Sequence, residues 1–177
     1  MNKIKAIILD RDGVINKDHG YVCGWERFEY IDGVVETLIY LAQKKIDIYI
    51  VTNQSGIARK YFTENQYLTF QHSFLEDLKS KGVKIAGIEY CPHHPKGLDE
   101  KYKIECDCRK PKPGMINRIL LNHSLLPSEV LFIGDKKTDI QAAEEARIYN
   151  NFIISNYKFD NSFTKSISSI KEIMYFI

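Results

Sequence analysis

Residues 5–16 read KAIILDRDGVIN, a short apolar run that ends in two carboxylates two residues apart. Such a run predicts a buried strand of a parallel sheet, and ligands of open α/β sheets bind just beyond the carboxyl ends of such strands. Residues i and i+2 of an extended chain point the same way, so Asp10 and Asp12 can converge on one ligand. Because the two like charges repel, a divalent cation between them is favoured. A strand that ends in a solvated, Asp-rich turn is the alternative.

The composition is that of an ordinary globular protein. The chain has 177 residues, of which 44% are hydrophobic and 27% are charged, and we expect one domain over residues 1–177. The net charge of +2 comes from interspersed Lys and Glu without a basic block, so no nucleic-acid partner is implied. No apolar stretch has the length of a signal core or a membrane span. We therefore expect a cytoplasmic monomer that does not bind a membrane.

Two further apolar runs end in polar segments, TNQSG at 52–56 and GDKKTD at 134–139. The hydroxyl of Thr52, followed by backbone N–H groups and a glycine, suits an anion such as phosphate, although an N-cap and a turn would use the same residues. Asp135 could complete a magnesium site with the first two carboxylates, since Mg²⁺ prefers hard oxygen ligands.

The rest of the chain alternates strands with helices. Strands are predicted near 87–90, 130–133 and 151–155, and helices after Gly33, Thr63, Pro113 and Thr138, with a weak one at 167–175 after a polar linker. Thr63 with Gln66, and Thr138 with Gln141, have capping-box spacing. Residues 17–33, the rim loop, lack a clear period, and a small hairpin is placed at 28–31. The alternation predicts an α/β fold, a Rossmann-like three-layer sandwich with a mainly parallel sheet.

Three of the four cysteines cluster in residues 91–108, the cysteine loop, together with two adjacent histidines. Two pairs with i, i+2 spacing predict a tetrahedral Cys₃His zinc site, whose ligands are Cys91, His93, Cys106 and Cys108. This spacing prefers His93 over His94. Four protein ligands leave no open position, so the zinc would be structural and would stabilise the loop. Free cysteines near the surface are the alternative.

The segment RKPKPGM at 109–115 follows the last cysteine directly. A lysine held beside the strand-end carboxylates can neutralise a bound phosphate, and an arginine can bind phosphate or sugar oxygens with two hydrogen bonds. Lys110 and Arg109 are the candidates, unless the segment is only an exposed basic turn. Together with the carboxylates and the hydroxyl, they indicate phosphoryl transfer.

The segments DRDGVIN, VTNQSGIAR, CPHH, CDCRKPKPGM and GDKKTD, in this order, resemble the haloacid dehalogenase (HAD) superfamily of phosphatases, and in particular its zinc-containing branch. The similarity covers about Ile4 to Ala146. It implies a nucleophile at Asp10, a general acid and base at Asp12, and phosphoryl stabilisation by Thr52 and Lys110. Magnesium would be held by Asp10, Asp135 and the backbone carbonyl of Asp12, while Asp139 would orient Lys110 or the metal shell. The substrate contacts it implies are Asp18, His19, Gly20, Tyr21, Asn53, Gln54, Ser55, Arg109 and Lys136.

Neither the rim loop nor the cysteine loop is long enough to form a separate cap domain, which predicts a partly open site for a small sugar phosphate. Within this branch, the segments DHGYV, FIDGV and RKPKPGM favour a resemblance to the members that act on a heptose bisphosphate. It implies hydrolysis of the 7-phosphate of D-glycero-D-manno-heptose 1,7-bisphosphate, for nucleotide-activated heptose in surface polysaccharide, with the anomer left open. Histidinol phosphate is the alternative substrate. A non-catalytic, zinc-stabilised binding module is the alternative from a different class.

Overall fold

The computed structural model describes residues 3–155 and 162–177. Its strands are β1 Ala6–Leu9, β2 Asp47–Asn53, β3 Ile85–Cys91, β4 Val130–Gly134, β5 Asn151–Ile154 and β6 Thr164–Ile167. Its helices are α1 Val34–Gln43, α2 Glu64–Ser80, α3 Gly114–Asn122 and α4 Lys137–Glu145, with short 3-10 helices at Pro127–Glu129 and Ile170–Tyr175. The six strands form one sheet in the order β3-β2-β1-β4-β5-β6, and all neighbouring pairs are parallel. The predicted α/β class is confirmed. Among the described residues, no helix is long and apolar enough to cross a membrane.

Strand β1 lies in the middle of the sheet, between β2 and β4. The chain runs outward from β1 to β3 on one side and then crosses over to β4 on the other. The order of the strands therefore reverses beside β1, and such a reversal opens a crevice at the carboxyl ends of the strands. The backbone N–H of Asp10 donates to the carbonyl of Ile133 at 2.9 Å, so the first carboxylate is held at this crevice.

The side chains of β1 alternate between two apolar layers. Ile7 and Leu9 pack with α1, α2 and the C-terminal 3-10 helix, whereas Ala6 and Ile8 pack with α3 and α4. All four side chains are fully buried. A buried Ile or Leu stabilises the fold by roughly 1.5–3 kcal/mol relative to an exposed one, so this strand fixes the sheet firmly between its two helical layers.

The two predicted capping boxes have different outcomes. Thr63 caps α2 as expected, because its Oγ accepts from Gln66 N at 3.1 Å and its own N–H donates to Gln66 Oε1 at 2.7 Å. The second box is wrong. Helix α4 begins at Lys137, and the carboxylate of Asp139 accepts from the backbone N–H groups of Asp135 and Lys136 at 3.3 and 3.0 Å. The carboxylate of Asp139 thus accepts the hydrogen bonds of the amides that precede the helix, and Thr138 lies within the first helical turn instead of capping it.

The prediction for the C-terminus is wrong in part. Residues 164–167 form β6, which pairs with β5, and only the following 3-10 helix Ile170–Tyr175 is helical. Ile170 and Ile173 are buried against the core, so this short helix is held by packing. The polar linker predicted before it includes residues 156–161, which lie outside the described residues. At the other end, the hairpin predicted at 28–31 is replaced, in the described rim loop, by an isolated bridge between Asn16 and Tyr30.

Candidate active site

A pocket of about 310 Å³ opens at the carboxyl ends of β1, β2 and β4. It gathers residues that are far apart in the chain. The four predicted catalytic residues Asp10, Asp12, Thr52 and Lys110 line it, and so do Asp18, Gly20, Tyr21, Asn53, Gln54, Ser55 and Lys136 from the predicted substrate contacts. Gly56, Thr138 and Asp139 complete the lining.

The ammonium group of Lys110 lies between two carboxylates at the floor of the pocket. Its Nζ is 2.6 Å from Asp10 Oδ1 and 2.8 Å from Asp139 Oδ1, and it also donates to the Val51 carbonyl at 2.9 Å. Only 4% of Lys110 is exposed. Burial opposes its charge, but the two carboxylates outweigh burial and hold the pKa of Lys110 above its ordinary value. The lysine is therefore a fixed cation beside Asp10.

The amide of Asn53 holds the backbone of Lys110. Its Nδ2 donates to the Lys110 carbonyl and its Oδ1 accepts from the Lys110 N–H, both at 3.1 Å, and the peptide bond from Lys110 to Pro111 is cis. Asn53 was expected to contact substrate. Both ends of its amide are hydrogen-bonded to the backbone of Lys110, while the residue also lines the pocket.

The carboxylate of Asp12 receives donors from several side chains. Asn16 Nδ2 donates to Oδ1 and Gln54 Nε2 donates to Oδ2, both at 3.0 Å, while Thr52 Oγ lies 3.5 Å from Oδ2. Arg11 donates to both oxygens of this carboxylate. The sequence analysis did not predict a role for Arg11 or Asn16, although both lie in the segment 5–16 that contains the two carboxylates. The one available signal was an arginine placed between two aspartates.

Three acids, Asp10, Asp135 and Asp139, bring carboxylate oxygens within 4.8 Å of one another. Asp139 is committed to Lys110 and to backbone amides, whereas Asp135 Oδ1 is buried without a hydrogen-bond partner among the described residues. Burial raises the pKa of Asp135 to about 6, and burial likewise raises the pKa of Asp10 above its usual range. A buried, unpartnered carboxylate oxygen beside a second acid fits a divalent cation.

Gly13 allows Asp135 to approach this site. A Cβ at Gly13 would lie 2.2 Å from Asp135 Oδ2, and its φ of +95° is unfavourable for other residues. The glycine that follows Asp12 therefore provides space for the third acid as well as a turn.

The rim of the pocket is formed by the rim loop. Lys136 Nζ pairs with Asp18 Oδ2 at 2.9 Å and so connects this loop to the start of α4. Two predicted substrate contacts lie outside the pocket lining. His19 Nε2 is 3.6 Å from the Glu29 carboxylate, and Arg109 Nη1 donates to the His93 carbonyl at 3.4 Å.

The predicted zinc ligands converge on one point. Cys108 Sγ lies 3.1 Å from Cys91 Sγ, 3.2 Å from Cys106 Sγ and 3.3 Å from His93 Nδ1. Four zinc ligands at normal bond lengths would stand about 3.5–3.8 Å apart, so the set is near the right size. His94 is turned away, because its two ring nitrogens contact the Lys96 N–H and the Arg59 guanidinium. The choice of His93 over His94 agrees with this arrangement.

The cysteine loop is also attached to α2. Glu64, the first residue of that helix, accepts from Tyr102 OH at 2.6 Å and from Tyr90 OH at 3.0 Å. The two hydroxyls come from the cysteine loop and from β3. The loop that leads into Lys110 is thus fixed by the helix on one side and by the cysteine cluster on the other.

A parallel sheet with a nucleophile-like acid after its central strand, and a lysine delivered by a later loop, defines a class of hydrolase. Residues 11–147 match the haloacid dehalogenase-like hydrolase family, and the chain belongs to it. Among curated relatives, a D-glycero-beta-D-manno-heptose-1,7-bisphosphate 7-phosphatase of Photorhabdus laumondii is 45% identical over 88% of this chain and 82% of the relative. A phosphatase of the same bacterium, named for the alpha anomer, is 42% identical over 86% of this chain and 84% of the relative.

A solved structure has the same fold. The D,D-heptose 1,7-bisphosphate phosphatase from B. bronchiseptica, complexed with magnesium and phosphate, matches 98% of this chain and 100% of its own chain with a TM-score of 0.83 and 26% identity.

Proposed function

We propose that the protein is a magnesium-dependent phosphatase that removes the 7-phosphate of D-glycero-D-manno-heptose 1,7-bisphosphate. The observation that carries the reaction is the buried Asp10–Lys110–Asp139 triplet at the floor of a small open pocket. The substrate is supported by relatives of that name that align over more than four fifths of both chains. Its product would supply nucleotide-activated heptose for surface polysaccharide.

In the proposed reaction, an oxygen of Asp10 attacks the phosphorus and forms an aspartyl phosphate. The bond from phosphorus to the sugar oxygen breaks, and the electron pair of that bond stays on the sugar oxygen. This oxygen receives a proton from Asp12. Water then attacks the phosphorus and gives a proton to Asp12, and the carboxylate of Asp10 leaves with the electron pair of its bond to phosphorus. Lys110 and the hydroxyl of Thr52 stabilise the charge on the transferring group.

Asp10, Asp135 and the backbone carbonyl of Asp12 would hold the magnesium. When bound, it supplies the positive charge that neutralises the phosphoryl oxygens and keeps the buried acids ionised. Asp139 has a different role in this proposal, since its ion pair with Lys110 fixes the lysine rather than the metal.

For the substrate contacts, we propose Asp18, Gly20, Tyr21, Gln54, Ser55 and Lys136 from the lining of the pocket. His19 and Arg109 would reach a substrate only from outside the lining. Asn53 would act on the substrate through Lys110.

We also propose that the cysteine cluster binds a structural zinc. The support is the convergence of three thiols and one imidazole nitrogen on one point. Chelation of zinc is expected to lower the melting temperature, whereas removal of magnesium alone is expected to stop turnover. Equal melting with and without zinc would contradict the structural role.

The substrate is tested by measuring kcat/KM on both anomers of the heptose bisphosphate, on histidinol phosphate and on simple sugar phosphates. The two relatives of one bacterium are named for different anomers, so both must be included. A tenfold preference for histidinol phosphate would reject the proposed substrate.

Asp10→Asn distinguishes an enzyme from a binding module, because only the enzyme loses its function while the fold is kept. We further propose a single-domain cytoplasmic monomer, and light scattering tests the monomer.

A further inference from the structure

Arg11 is a buried cation with no role in the reaction as described. Only 3% of it is exposed, and its Nη2 donates to both oxygens of Asp12 at 3.0 Å. The same nitrogen donates to the Val22 carbonyl in the rim loop at 2.7 Å. One guanidinium thus connects the acid and base to the loop that borders the pocket.

Two aromatic rings of α2 support this guanidinium. Its central carbon lies 5.8 Å from the ring centroid of Tyr67 and 5.7 Å from that of Phe70, distances typical of cation–π contacts. A buried guanidinium is costly unless it is paired, and Asp12 is its ion-pair partner among the described residues. Because the planar fork is packed on rings and hydrogen-bonded at the loop, it presents its donors in a fixed direction.

The carboxylate of Asp12 has two further donors on its other sides. Asn16 approaches Oδ1 and Gln54 approaches Oδ2. In the proposed reaction this carboxyl must first reach the sugar oxygen and then the attacking water. A displacement of this carboxyl by about 1 Å can lower the rate of such a proton transfer by two orders of magnitude.

We propose that Arg11 is the positioning residue of the acid and base, which sets the direction of the Asp12 carboxylate and links it to the rim loop. The inference rests on the proposed phosphatase reaction, but it is independent of which sugar phosphate is the substrate. Arg11 acts through Asp12 and does not touch the reacting phosphate.

The test uses the magnesium-loaded enzyme and two kinds of phosphate ester. The p-nitrophenolate group leaves without a proton, so formation of the aspartyl phosphate from p-nitrophenyl phosphate does not need Asp12 as an acid, whereas its hydrolysis needs Asp12 as a base. Arg11→Met is therefore expected to release about one p-nitrophenolate per active site in a burst, followed by steady turnover reduced about 10- to 100-fold. With the heptose bisphosphate, an alkyl ester, both steps need Asp12, so the variant is expected to be slow without a burst.

Two controls separate positioning from a loss of stability. Arg118→Met removes an arginine whose Nε donates to Glu89 at 2.8 Å, outside the pocket lining, and should leave the kinetics unchanged. Phe74→Leu disturbs the core under α2 and should lower the melting temperature without producing a burst. If Arg11→Met does not fold, Arg11→Lys keeps the charge but not the fork and is expected to show the same burst with a smaller loss of steady turnover.

Wild-type kinetics in the Arg11 variants, or equal slowing on both esters without a burst, would overturn the positioning role while leaving the proposed function intact. A wild-type enzyme that hydrolyses neither ester would instead overturn the proposed function, and this inference with it.

Discussion

Replacement of Lys110 by Met is expected to lower the free energy of unfolding by about 3–5 kcal/mol at pH 8, because it leaves buried carboxylates without their cation. The contacts of the ammonium group support a loss of this magnitude. The ammonium makes two charge-assisted contacts, at 2.6 Å to Asp10 and at 2.8 Å to Asp139. Each such bond contributes roughly 1.5–3 kcal/mol, and Met keeps most of the apolar stem.

The loss should depend on pH in a defined direction. Although burial opposes it, Lys110 holds the pKa of Asp139 below its ordinary value. A lowered carboxyl pKa contributes stability that is present above the unfolded pKa of about 4 and is lost as the pH falls through the folded pKa. Without Lys110, the pKa of Asp139 rises, and the carboxyl takes up a proton on mild acidification. The penalty in Lys110→Met should therefore shrink between pH 8 and pH 5.

Urea unfolding followed by circular dichroism at pH 8 and pH 5, without added magnesium, measures both effects. Lys112→Met is the matched control, since Lys112 lies two residues further along and is exposed. Its free energy of unfolding should change by less than about 0.5 kcal/mol. A loss below about 1 kcal/mol for Lys110→Met, or the same loss at both pH values, would refute the view of Lys110 as a buried counterion.

Three further predictions concern Gly13, Asp135 and Glu64. In Gly13→Ala, the added methyl group would lie 2.2 Å from Asp135 Oδ2, so we expect the magnesium concentration for half-maximal turnover to rise at least tenfold; an unchanged value would contradict the close approach. Because the pKa of Asp135 is raised to about 6, its contribution to the stability of the magnesium-free protein should be lost as the pH rises from 4 through 6, and magnesium should raise the melting temperature more at pH 8 than at pH 5. A magnesium effect independent of pH would argue against a buried, unpaired acid. In Glu64→Ala, the hydroxyls of Tyr90 and Tyr102 lose their acceptor, so zinc should pass faster to a colorimetric chelator, while Glu76→Ala on the exposed face of α2 should release it at the wild-type rate.

Local patterns in the sequence were sufficient for the framework of this site. The apolar run before Asp10, the i, i+2 spacing of the cysteine loop and the Thr63 cap each depend on neighbours within a few residues. Backbone geometry relates those residues directly, and the structure agrees with all three. The same local reasoning was wrong where two local signals competed, since the carboxylate of Asp139 took the amides that Thr138 was expected to organise.

The roles of individual polar side chains were decided by contacts between distant parts of the chain. Asn53 stands in the segment that predicts phosphate contacts, yet its amide is used by the backbone of Lys110, 57 residues away. Arginine is mostly exposed in proteins, but Arg11 is buried because Asp12 and the rings of α2 pair with its guanidinium. The sequence by itself determined which chemical groups stand at the ends of the strands. Only the tertiary structure decided which of them face the pocket and which hold the others in place, because a buried polar group must be paired and its partners are supplied by the fold.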